Sequence, residues 1–121
     1  MPRVKRGVPA HKKHKKVLNL TEGHRGAKRL LFRPANESML KSLAYAFRDR
    51  RNRKRDMRRL WITRINAAAR LHDMTYSQLI HGLALANITV DRKMMADMAV
   101  RDDAVFAELV SQAASALGAN A

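Results

Sequence analysis

Apolar residues recur along this chain at helical spacing, and no stretch alternates as a strand would. Leu40, Leu43, Ala44 and Phe47 fall at helical intervals. Trp61, Ile65 and Ala68 do the same further on, flanked by Ile62 and Ala69. No helix breaker interrupts the sequence from Met39 to Ala69, so the pattern predicts one long helix there, about 46 Å at 1.5 Å per residue. Three shorter helices are predicted after it. Thr75 and Gln78 form a capping-box pattern, with Met74 and Leu79 at the positions of a hydrophobic staple. Leu79, Ile80, Leu83 and Ala86 supply the inner face of that helix, and Asn87 can end it. Asp91 can cap the next helix, which carries Met94, Met95 and Met98. Asp102 can cap the last, with Asp103 in its first turn and Val105, Phe106, Leu109, Val110 and Ala113 at core spacing. The expected class is all-α.

One segment breaks the amphipathic rule. Residues 48 to 59, RDRRNRKRDMRR, hold eight cations in twelve positions and one apolar side chain, Met57. At about 100° per residue these cations spread around most of the helix. A surface helix normally keeps an apolar stripe for its core. Here there is none, so packing against protein is not expected. Like charges at i+3 and i+4 also destabilise the isolated helix, and a polyanion on several sides would relieve them. Asp49 and Asp56 are expected to support the helix by pairing with Arg53 and Arg59.

Charge sharpens this division. The chain carries +15 overall, as +18 in residues 1–70 and −3 in residues 71–121. The basic part reads as a binding device and the rest as an ordinary folded unit. We divide the chain at 1–58, a basic extension of arm, glycine loop and long helix, and 59–121, a small helical globular domain. The arm MPRVKRGVPAHKKHKK has seven cations and no acid. Pro2, Gly7 and Pro9 oppose a helix at its start, and the first 35 or so residues are expected to be disordered in isolation. A localisation tract or soluble tail is the plainer alternative for the arm. Val17 to Leu20 are expected to be helical. Gly23 and Gly26 mark a loop whose backbone can approach a phosphate chain beside Arg25. Pro34 marks a kink or a helix start.

Enzyme signals are absent. His11 and His14 stand in a Lys-rich arm without carboxylates, which opposes a bound metal. Ser77 has no base in a recognisable pattern. His72 and His81 are expected at the edge of a core or facing RNA, the methionines in the core, and Trp61 and Tyr76 as packing anchors. Tyr45 and Phe47 can either pack or stack on bases. The chain has no cysteine, no apolar run long enough to span a bilayer and no apolar signal segment, so a cytosolic protein without cofactor or metal is expected. A helix-turn-helix DNA binder is disfavoured because helices at 76–86 and 92–99 carry only Arg92 and Lys93 as cations. A membrane-surface helix is disfavoured because the arginine segment lacks an opposed apolar face.

Four blocks carry a family resemblance: MPRVKRG, HKKVLNLTEGHRG, YAFRDRRNRKRDMRRLWITRINAAAR and YSQLIHGLALANITVDRKMMADMAV. In order and spacing they resemble the L-twenty family of bacterial large-subunit ribosomal proteins. The resemblance implies an extension threaded into large-subunit ribosomal RNA and a small helical C-terminal domain on its surface. It implies direct, early RNA binding that supports subunit assembly. It also implies neighbours from the L-twenty-one and L-thirteen families, and a place in a cytoplasmic or plastid ribosome. The RNA-contact positions it implies are Arg3, Lys5, Arg6, Lys15 and Lys16 in the arm, and Gly23, Arg25 and Gly26 in the loop. In the helix they are Arg48, Arg50, Arg51, Arg53, Lys54, Arg55, Arg58 and Arg59. Asn19, Glu22, His24, Met57 and the Leu85-Ala86-Asn87 stretch depart from the family pattern.

Overall fold

A computed structural model describes residues 3–119. Five α-helices follow one another: α1 (Gly7–Leu20), α2 (Phe32–Leu71), α3 (Tyr76–Leu85), α4 (Arg92–Arg101) and α5 (Asp103–Ala119), with a 3₁₀ turn at Gly26–Arg29. No strand occurs among the described residues. Two compact units divide the chain, Met1–Arg51 and Asn52–Ala121.

In the first unit, α1 replaces the irregular arm expected from Gly7 and Pro9. Pro9 falls in the first turn of the helix, where its missing N–H has no intrahelical partner to lose. None of the residues of α1 is buried. The helix ends at Thr21, which is fully buried and whose hydroxyl donates back to the Val17 and Leu18 carbonyls at 3.3 and 3.1 Å. Gly23 and Gly26 adopt φ of 82° and 67°, the left-handed region that glycine enters without steric cost. Helix α1 and the loop after it are each tied to α2 once. The His14 ring stacks on Phe32 with centroids 4.0 Å apart, and His24 Nδ1 and Ser38 Oγ share a 2.8 Å hydrogen bond. Ala35, on the first turns of α2, is fully buried. Residues 7–35 thus fold as helix, glycine loop and 3₁₀ turn leading into α2, where the sequence suggested an irregular arm.

Helix α2 has 40 residues and starts seven residues before the expected Met39. Pro34 lies within its first turn, so it begins the helix rather than kinking it. Its far end closes with Asp73 at φ 56°, the Met74 N–H on the Ala69 carbonyl at 3.0 Å and the Asp73 N–H on the Arg70 carbonyl at 3.3 Å. That is the Schellman arrangement, with aspartate in the position usually taken by glycine.

The second unit holds the main core. Ile65, Ala68 and Ala69 of α2 pack with Leu79 and Leu83 of α3, Met95 and Ala96 of α4, and Phe106, Val110 and Ala113 of α5. The expected capping box is present: the Gln78 N–H reaches Thr75 Oγ1 at 3.3 Å and the Thr75 N–H reaches Gln78 Oε1 at 2.9 Å. Leu79 is buried and Met74 packs on the same core, as a staple requires. Asn87 ends α3 at φ 54°, with the Ile88 N–H on the Leu83 carbonyl at 2.9 Å. Asp91 and Asp102 stand where caps were expected, but the Asp91 side chain makes no capping hydrogen bond. Met94 and Val105, expected in the core, are exposed on the outer faces of α4 and α5, and Met57 is exposed on α2. Methionine filler was a composition argument, and position on the wheel overrides it. Gly82 is buried on α3 beside α5, a close approach that the apolar pattern does not reveal. Trp61 and Tyr76 pack against the core half-buried, and the Tyr76 hydroxyl accepts from Arg92 Nε at 2.9 Å.

Candidate nucleic-acid interface

From Asn36 to Arg64 no residue of α2 is buried. Arg48, Arg50 and Arg51 stand exposed in the first unit, and Arg53, Lys54, Arg55, Arg58 and Arg59 stand exposed in the second. This stretch is helical because nothing in it opposes a helix: it has no proline, glycine or β-branched residue between Arg48 and Arg59. It remains solvent-facing because Met57 is its only apolar side chain, and that too is exposed.

The side chains near its start are partly ordered. Arg48 Nε donates to Asp49 Oδ1 at 2.7 Å, and that hydrogen bond, followed by the Asp49 charge, raises the Arg48 pKa above its ordinary value. The expected partner of Asp49 was Arg53; the adjacent arginine holds it. Arg51 Nη1 donates to the Phe47 carbonyl at 3.3 Å while its guanidinium lies 4.0 Å from the Phe47 ring centroid. Arg48 Cζ lies 4.6 Å and Lys41 Nζ 5.2 Å from the Tyr45 centroid. Tyr45 and Phe47 are exposed, together with Leu40 and Leu43. Among the described residues neither ring is part of a core, and both instead carry a guanidinium. Further along, Arg55 Nη1 reaches Asn52 Oδ1 at 3.5 Å.

The remaining expected contact residues are also at the surface. Arg3, Lys5 and Arg6 precede α1 as exposed coil, and Lys15 and Lys16 are exposed on its last turns. Arg25 is extended and exposed between the two left-handed glycines. His24 fixes the loop through Ser38.

Two basic features were missed by the sequence reading. Lys28 and Lys41 line a groove in the first unit with His24, Pro34, Glu37, Ser38, Ser42 and Tyr45. In the second unit Arg64, Lys93 and Arg101 surround Trp61 and Met94, with Asp97 on Arg101 at 3.1 Å. They come from separate segments, and only the fold brings them together. Among the described residues no three metal-ligating side chains converge, and no helix is long and apolar enough to cross a membrane. His72 is half-buried beside Phe106, with Nε2 3.5 Å from Asp103 Oδ1, and His81 is exposed.

Helices throughout, with an exposed run of cations along the middle of the longest one, are the charge pattern of the class of polyanion-binding proteins. Comparison with known proteins narrows that class. Residues 3–109 match the family described as Ribosomal protein L20. The chain is 59% identical over 117 residues to "Large ribosomal subunit protein bL20" of Latilactobacillus sakei, covering 97% of this chain and 98% of that protein. It is 57% identical over 121 residues to the protein of that name from Moorella thermoacetica, covering both completely. The Chloroflexus aurantiacus protein of that name is 57% identical over 119 residues, covering 98% of this chain and all of the relative. The chain belongs to the ribosomal protein L20 family. It is a ribosomal protein, a structural and non-enzymatic component.

Proposed function

We propose that this chain binds large-subunit ribosomal RNA directly through residues 1–58 and supports assembly of that subunit. The observation that carries this reading is the run of α2 from Asn36 to Arg64 without a buried residue, eight of whose positions between Arg48 and Arg59 are exposed cations. Helical stability in proteins comes mainly from packing, and this stretch has little protein to pack on. Phosphates crowded around it supply the missing partner and cancel its self-repulsion. Arg3, Lys5, Arg6, Lys15, Lys16 and Arg25 extend the contact, and Gly23 and Gly26 let the backbone turn close to RNA. Such contacts position the protein more than they specify sequence. The second unit docks on the RNA surface, beside neighbours of the L21 and L13 families.

Replacing Arg50, Arg51, Arg55 and Arg58 by Gln tests this. None of the four packs in the core, so the thermal transition of the C-terminal bundle should be unchanged. Affinity for large-subunit RNA should fall, and the slope of log affinity against log salt should flatten by about 3, at ~0.7–0.9 per phosphate contact. An unaltered slope would place the binding surface elsewhere.

A further inference from the structure

We infer that the groove beside Tyr45 seats a single unstacked nucleotide, with the Tyr45 ring against its base and Lys28 and Lys41 on its phosphates. This rests on the RNA-binding reading and adds a defined subsite to it. The groove lies wholly within the first unit, between the loop that follows α1 and the first turns of α2, and its volume is about 480 Å³. That is room for one nucleotide and too little for a duplex.

Its walls carry the right chemistry in the right division. Lys28 and Lys41 supply positive charge, and Ser38, Ser42 and His24 supply hydroxyl and imidazole groups. Glu37 opposes phosphate at its own position but accepts hydrogen bonds from the amino edge of a base. Tyr45 offers an exposed aromatic ring, and that ring already attracts cations: Lys41 Nζ and Arg48 Cζ lie 5.2 and 4.6 Å from its centroid. A base stacking there displaces one of them and frees it for the adjoining phosphate. The walls are also held in place beforehand. His24 is bonded to Ser38 across the groove, Thr21 is locked onto the end of α1, and His14 stacks on Phe32. A pre-formed site of this kind spends little ordering entropy on its ligand. An exposed ring, two lysines and a fixed concavity fit an extrahelical nucleotide better than a continuous helix, whose bases are stacked and out of reach.

The experiment uses the full chain at about 200 mM salt with three RNA hairpins of equal length. One carries a single bulged 2-aminopurine, one an abasic bulge at that site, and one is fully paired with 2-aminopurine in the stem. The bulged base should bind roughly 5- to 140-fold more tightly than the abasic bulge, the range for one base stacked on an aromatic ring. Its fluorescence should be quenched on binding. Tyr45→Leu should abolish both effects and Tyr45→Phe should restore them. Lys28→Gln should weaken binding to the bulged hairpin more than to the paired one. Equal affinity for bulged and abasic RNA, or unchanged quenching in Tyr45→Leu, would overturn the nucleotide site. If all three hairpins then bind equally and depend only on the arginines of α2, the RNA-binding reading survives alone. If none binds, that reading falls with it.

Discussion

Gly82 faces the backbone of Ala113 where α3 meets α5. A Cβ at Gly82 would lie 2.5 Å from the Ala113 carbonyl oxygen and 2.9 Å from its Cα. These are backbone atoms on the buried face of α5, so no rotamer change relieves the clash. Gly82→Ala gains up to about 1 kcal/mol of helix propensity, but overpacking at a helix crossing costs roughly 1–3 kcal/mol. The clash here is severe enough that the second term should win. Thermal denaturation should show a lowered transition for the variant, and a transition at or above that of the parent would mean the helices can separate without loss. Residue-scale features divide by how local their cause is. Thr75, Gln78 and Asn87 were legible because their partners lie within five residues of them. Gly82 and Met94 were not legible, because what decides them is a neighbouring helix.

At the scale of elements, the contrast is between helices that bury a face and helices that do not. α3, α4 and α5 each contribute buried residues to one core. α1 contributes none, and its 14 residues are close to the length at which an isolated helix is marginal in water. Amide exchange in the free protein should therefore be faster across the exposed first turns of α1 than across α3 and α5, while the end of α1 at Thr21 stays held. Binding to RNA should slow exchange in α1. Strong protection of α1 before any RNA is added would show that stabilisation comes from within the chain. The sequence reading placed the long helix but began it at Met39, because Pro34 looked like a boundary to its left rather than a residue inside its first turn. The C-terminal end was found more closely, since Trp61, Ile65 and Ala68 mark a core face. Of the candidate interface, the arginine run was fully legible as a charge pattern. The Lys28–Lys41–Tyr45 groove was not, because the loop that closes it is ordered by the His24–Ser38 bond between side chains fourteen residues apart.

At the scale of the molecule, residues 1–70 carry +18 and residues 71–121 carry −3. A uniformly basic protein would bind any polyanion equally. Segregation of charge confines attraction to the extension and leaves the remaining surface for shape-based docking, which is what an architectural RNA-binding protein needs. Under the proposed function, the extension recognises the architecture of large-subunit ribosomal RNA and not merely its charge. A competition binding assay at about 150–300 mM salt tests it most directly, because non-specific phosphate attraction is strongly reduced there. The competitors are fragments of large-subunit ribosomal RNA, unrelated structured RNA of equal length, and duplex DNA. One ribosomal fragment should be strongly preferred over both other competitors. Equal binding to all three would contradict it and leave the extension as a generic polycation.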